Sequence, residues 1–149
     1  MRVACVCVLV VLVAGCGGGG GRLSASEFRS KADAICGHYD AQIKRASAGI
    51  NGSDPKVIAA ALDKVIPLVE EGEGKLRKLK PPADLQSDWD RWLKLGDEQI
   101  PIAEKLRDAA KKSDQASFTN ALQALTSNEN AQDQIAKGKL GLTVCGKSS

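Results

Sequence analysis

Few side chains in this chain of 149 residues are suited to chemistry, and their spacing narrows the options. His38 is the single histidine. Carboxylate metal sites in helical bundles need inward-pointing Glu-x-x-His pairs on two helices, so that class is excluded. No Cys-x-x-Cys-His run is present, which excludes covalent haem of the c type. A Ser-His-Asp triad would have to use His38, and no nucleophile-elbow glycine pattern lies near it. The glycine run Gly17 to Gly21 is not a phosphate loop, because no Gly-Lys-Ser/Thr follows it and no strand precedes it. No catalytic residue, cofactor or metal ligand emerges, and the chain reads as non-enzymatic.

What remains is a polar interruption in an apolar helical face. Phe118, Leu122, Leu125, Ala136 and Leu140 share a face of the last helix, and Asn128, Glu129 and Gln132 fall on or beside it. A carboxylate buried there would need partners. If the first and last helices pair antiparallel, Glu129 lies roughly level with His38 and Tyr39. One expectation is therefore a small polar pocket lined by Tyr39, His38, Asn128, Glu129 and Gln132. The competing expectation is that the last helix rotates or bends so that these residues face water. His38 lies about a quarter-turn off the apolar stripe of its helix and reads as a partly exposed surface histidine. Trp89 and Trp92, three apart on one face, read as core packing before they read as a ligand-stacking platform.

The elements that would position these residues are helices. Aromatic residues are scarce, while Ala, Leu, Lys, Gln and Asp are plentiful, which favours helix over sheet. A first helix is predicted from about Ala25 to Ser47, opened by a Ser24–Glu27 capping box. Its stripe is Phe28, Ala32, Ile35, Tyr39, Ile43 and Ala46. A second opens at Ser53-Asp54-Pro55, with proline in the first turn, where its missing N–H costs nothing. Its stripe runs from Ile58 to Leu79, and Glu71–Lys75 and Glu73–Arg77 read as exposed i,i+4 pairs. Pro67 predicts a kink. A third helix spans about Ala83 to Lys111 with a kink, or a division into two helices, near Pro101. The fourth starts at Ser113-Asp114, and Gly138 and Gly141 are its stop signals.

Acidic residues cluster near the proposed N-termini and basic residues near the C-termini, as helix dipoles favour. The basic clusters therefore need no nucleic acid to explain them, and the formal net charge of +3 demands none. Short connections make successive helices antiparallel neighbours. The predicted fold is all-α: an up-down-up-down four-helix bundle over residues 25–149.

Residues 1 to 16 read as an export signal. Arg2 is followed by the apolar run Val3 to Ala14, too short to span a bilayer of about 30 Å as a helix but suited to a signal peptide. The run ends in Val13-Ala14-Gly15-Cys16, which resembles the lipobox of bacterial lipoproteins. That resemblance implies cleavage after Gly15 and a diacylglycerol on Cys16. Residues 1–15 would then be the signal peptide, and residues 16–24 a lipidated cysteine on a flexible glycine-rich tether. Two acyl chains suffice for stable anchoring.

Cys5 and Cys7 would leave with the signal, and Cys16 would carry lipid. Cys36 and Cys145 remain, an even pair in an exported chain, so a disulfide is the expectation. A free catalytic cysteine is the rival reading, with no convincing partner base. Ala32-Asp33-Ala34-Ile35-Cys36, Leu79-Lys80-Pro81-Pro82-Ala83 and Leu140-Gly141-Leu142-Thr143-Val144-Cys145 together resemble a group of small exported helical lipoproteins of actinobacteria. The resemblance implies the same cysteine pairing and helical fold, and supplies no catalytic residue. The functional expectation is a monomeric lipoprotein on the outer face of the cell membrane. It would meet an envelope protein or cell-wall component through its helical surface, or hold a small molecule in the polar pocket.

Overall fold

A computed structural model describes residues 21–48 and 54–146. The lipobox, most of the glycine run and the turn predicted at Gly49 to Ser53 lie outside the described residues. Four α-helices account for most of the rest: α1 (Ala25–Ala46), α2 (Pro55–Leu76), α3 (Gln86–Lys112) and α4 (Gln115–Ile135). No strand occurs among the described residues.

The helix boundaries follow the capping chemistry. The Ser24 hydroxyl accepts from the Glu27 backbone N–H, while the Glu27 carboxylate accepts from the Ser24 N–H at 3.0 Å. Asp54 accepts from the Lys56 N–H at 2.9 Å, and Asp114 from the Ser117 N–H at 3.1 Å. Each satisfies a donor that a helix start leaves without an intrahelical partner. Ser113 is the left-handed C-cap of α3 and not part of the next helix's start. Residues Ala83–Leu85 form a 3₁₀ turn, so α3 itself begins three residues later than predicted. Pro67 and Pro101 both lie inside continuous helices, which excludes a division of α3 at Pro101.

The helices pack in chain order, α1 on α2, α2 on α3 and α3 on α4, while α1 and α4 are not a closely packed pair. One large buried cluster sits at one end of the helices, while Ile66, Leu106, Ala109 and Ala110 are buried toward the other. Phe28 and Ala32 of α1, Leu76 of α2, Trp89 and Trp92 of α3, and Leu140 and Leu142 after α4 form one buried cluster. Phe28 meets the edge of Trp89 at 86°, and Trp89 stacks on Trp92 with ring centroids 4.9 Å apart. Burial of each such side chain contributes roughly 1.5–3 kcal/mol, and the aromatic geometry adds about 0.5–1.5 kcal/mol per pair. Both tryptophans are thus core residues.

Two features at this end depart from the predicted boundaries. Leu23 is half-buried against the core, and its N–H donates to the Lys80 carbonyl at 2.9 Å. Arg22 donates to the Pro81 carbonyl and the Gln86 side chain. Arg22 and Leu23 are thus fastened to the segment before α3, because Leu23 has an apolar surface to cover. After α4 the chain makes a π turn, Ala136–Leu140, and reverses at Gly141, whose φ of 64° suits glycine. A Cβ there would also press on the Arg29 guanidinium.

The reversal lays residues 141–146 back along α1. Asp33 holds them: its carboxylate accepts from the backbone N–H groups of Thr143, Val144 and Cys145 and from the Thr143 hydroxyl. Arg29 donates to the Leu140 carbonyl at 2.7 Å. Cys36 and Cys145 form a disulfide, with Cα atoms 5.2 Å apart.

Candidate functional site

Away from the core end, the apolar stripes do not close on one another. They line a half-open cleft of about 640 Å³ that touches all four helices and the C-terminal tail. The tail is one reason the cleft exists. It contacts α1 through Asp33 and Cys36, and Gly146 lies against Ala136 and Lys137, so it stands between α1 and the end of α4. Its Val144 and the disulfide form one wall of the cleft. Ile43 of α1, Val65 and Val69 of α2, Ile100 of α3 and Leu125 of α4 form apolar walls and remain only half-buried. These are stripe positions whose partners across the molecule are missing.

Five polar residues were expected to converge here, and three of them do: Tyr39, Glu129 and Gln132 line the cleft. His38 does not. It is exposed, its Nε2 lies 2.9 Å from the Gln42 amide, and its ring meets the edge of the Tyr39 ring. One residue's difference along α1 rotates it about 100° away from Tyr39. Asn128 is buried but spends its amide on the Leu95 carbonyl at 3.1 Å, within the α3–α4 contact and not in the cleft. The alternative, in which α4 turns Glu129 and Gln132 to water, does not hold, since both are half-buried on the cleft wall.

The residue that the sequence reading misplaced is Glu73. Its spacing to Arg77 suggested an exposed ion pair. Arg77 instead pairs with Asp97 on α3, and Glu73 is buried, 8% exposed, on the cleft wall. Its carboxyl lies over Gly96, where a Cβ would overlap Oε1. That same point is 3.3 Å from the Gln132 amide nitrogen, so both side chains border Gly96. Among the described residues Glu73 makes no hydrogen bond or ion pair with another side chain, although the Arg77 charge acts on it from its bond to Asp97. Burial, and then the Asp97 carboxylate, raise its pKa to about 7. The sequence carried one signal for this: Gly72 and Gly96 occupy stripe positions on neighbouring helices, and such glycines mark a close approach. Gly72 makes room for the Tyr39 ring, and Gly96 for Glu73.

One turn further along, the Gln99 amide donates to Glu129 at 3.3 Å. Burial and the neighbouring Asp133 push the Glu129 pKa upward, and the Gln99 bond only partly offsets them. Gln132 donates to the Trp92 carbonyl at 3.3 Å. The result is an apolar cleft with two carboxyls and two primary amides on adjacent turns. No cluster of three or more metal-ligating side chains occurs among the described residues.

No protein family profile, curated protein or solved structure matches this chain.

Proposed function

We propose that this chain is a small-molecule binding module of the cell envelope, held to the outer face of the membrane by lipid on Cys16. The observation that carries the binding reading is the cleft: about 640 Å³, mainly apolar, with the Glu73 carboxyl buried on its wall. Ligand pockets typically occupy about 300–1,000 Å³ and combine apolar walls with a few convergent polar groups. The anchoring reading rests on Val13-Ala14-Gly15-Cys16 after its apolar run. It is supported by the Cys36–Cys145 disulfide, which belongs in an oxidising compartment. No helix among the described residues is long and apolar enough to cross a membrane.

The arrangement we infer is an up-down-up-down bundle with one open seam, between α1 and α4. Cross-helix bonds from Gln132 to Trp92 and from Asn128 to Leu95 run in opposite senses along α3 and α4, as antiparallel neighbours require. The open seam is the entrance to the cleft.

The alternative of docking an envelope protein or cell-wall component through the outer helical surface has less to support it. Among the described residues the exposed large apolar side chains are Val57 and Leu122, one on α2 and one on α4. Single exposed apolar residues are ordinary. Native mass spectrometry of the full lipidated chain, extracted from membranes, tests the choice. A retained non-lipid-anchor mass below about 1 kDa is expected for a pocket of this size. A chain that carries no small molecule, and acquires none from a cell extract, argues against the binding reading.

A further inference from the structure

The charges around the cleft are unequal. Glu73, Glu129, Asp133 and Asp40 line it, and the one cationic side chain among the lining residues is Lys44, which lies 2.8 Å from Asp40. Asp133 pairs with Lys137 at the rim. Two carboxyls are left on the cleft wall: Glu129 has no ion pair among the described residues, and the guanidinium nearest Glu73, that of Arg77, is bonded to Asp97 and only partly offsets its burial. Among the described residues Glu73 has no hydrogen-bonding partner, and Glu129 has a single amide. Their levels are set by α3: Glu73 sits over Gly96, and Glu129 is bonded to Gln99. Three residues of helix rise place these levels about 4.5 Å apart along the axis.

From this geometry we infer that the ligand is an amphipathic organic amine, its ammonium received between Glu73 and Glu129 and its apolar body laid along the walls formed by Val69, Ile100 and Leu125. This rests on the reading of the cleft as a binding site and names the ligand's chemistry. An unpaired carboxylate out of water is costly, and an opposite charge removes that cost. An ammonium supplies the charge together with three N–H donors. A carboxylate or phosphate ligand would face two like charges. An inorganic cation would leave the apolar walls unused, and the two carboxyls fall short of the ligand set that a divalent ion takes.

The test uses three probes that share one apolar body: octylamine, 1-octanol and octanoate. Each is titrated at pH 8 into the full lipidated chain in phosphatidylcholine nanodiscs, with empty nanodiscs as the reference. The readout is tryptophan fluorescence, since Trp89 and Trp92 are the only tryptophans and Trp92 lines the cleft. Octylamine is expected to bind about tenfold more tightly than 1-octanol, and octanoate more weakly than either. Glu73→Gln and Glu129→Gln should each remove most of the amine's advantage and leave 1-octanol unchanged. Both variants delete a half-desolvated charge at constant shape, so loss of folding is not expected. Equal binding of amine and alcohol, or an amine advantage that survives both substitutions, overturns the amine assignment while leaving the cleft a binding site. Failure of all three probes to bind overturns the binding reading itself.

Discussion

At the residue scale, the cleft depends on an absent side chain. Gly96 has no Cβ, and the Glu73 carboxyl and the Gln132 amide occupy the space. Gly96→Ala should therefore displace both. The atoms met are the ends of flexible side chains, so the cost is at most about 1 kcal/mol, offset by the helix propensity the alanine returns. Urea denaturation of the variant measures it, and a much larger loss would show that the two side chains cannot yield. Asp33 is the second such residue. Its half-buried carboxylate accepts four hydrogen bonds from the tail. Desolvation alone would raise its pKa, but these bonds outweigh it and hold the carboxyl below the ordinary value of 3.8. Asp33→Ala leaves three backbone N–H groups without that acceptor and should cost about 2–3 kcal/mol. Hydrogen exchange at Thr143 to Cys145 should quicken more than exchange in α3.

At the element scale, the C-terminal tail decides the shape. It is short and has no regular secondary structure beyond its turns, yet it contacts α1 and the end of α4 and forms a cleft wall. The disulfide closes a sequence separation of 109 residues. On the chain-entropy account, such a loop is worth at most about 4–5 kcal/mol. Reduction, or Cys36→Ser with Cys145→Ser, should lower the denaturation midpoint markedly. Because Asp33 and Arg29 still hold the tail, the core tryptophans should remain buried, which near-ultraviolet circular dichroism would register. A reduced protein as stable as the oxidised one would count against the tail as a structural wall.

At the scale of the whole molecule, the core end and the cleft end oppose each other in their response to pH. Folding raises the Glu73 pKa from 4.5 to about 7, so the folded state binds that proton more tightly than the unfolded chain. The associated stability is fully present below about pH 4.5 and is lost as pH rises through 7. Glu129, also raised, acts in the same direction. Asp33, lowered, acts in the opposite one: its contribution is present above its ordinary value and is lost as pH falls through its folded value. Stability should therefore decline between about pH 5 and pH 8 in the native sequence and decline less in Glu73→Gln. Chemical denaturation at those two pH values compares them. Parallel behaviour of the two proteins would remove Glu73 from the explanation.

Much of this was legible in the residues. The caps at Ser24, Asp54 and Asp114, the stripes and the turn glycines are local signals, set by hydrogen bonding and periodicity within a few residues, and they located the four helices closely. The cysteine pair foretold the disulfide, and the polar interruption on α4 pointed to Tyr39, Glu129 and Gln132. Helical periodicity marks which face is apolar, but not what covers it. Ile43, Val65, Val69 and Ile100 read as core by pattern, yet in the folded chain they wall a cleft, because the tail stands where α1 and α4 would otherwise meet. The same limit hid Glu73. Its neighbour at i+4 suggested an exposed pair, while Arg77 was taken by Asp97, twenty residues away in sequence. Local chemistry in the sequence determined the helices and their ends; the competition among distant partners, which exists only after the helices pack, decided where the cleft lies and which carboxyl it buries.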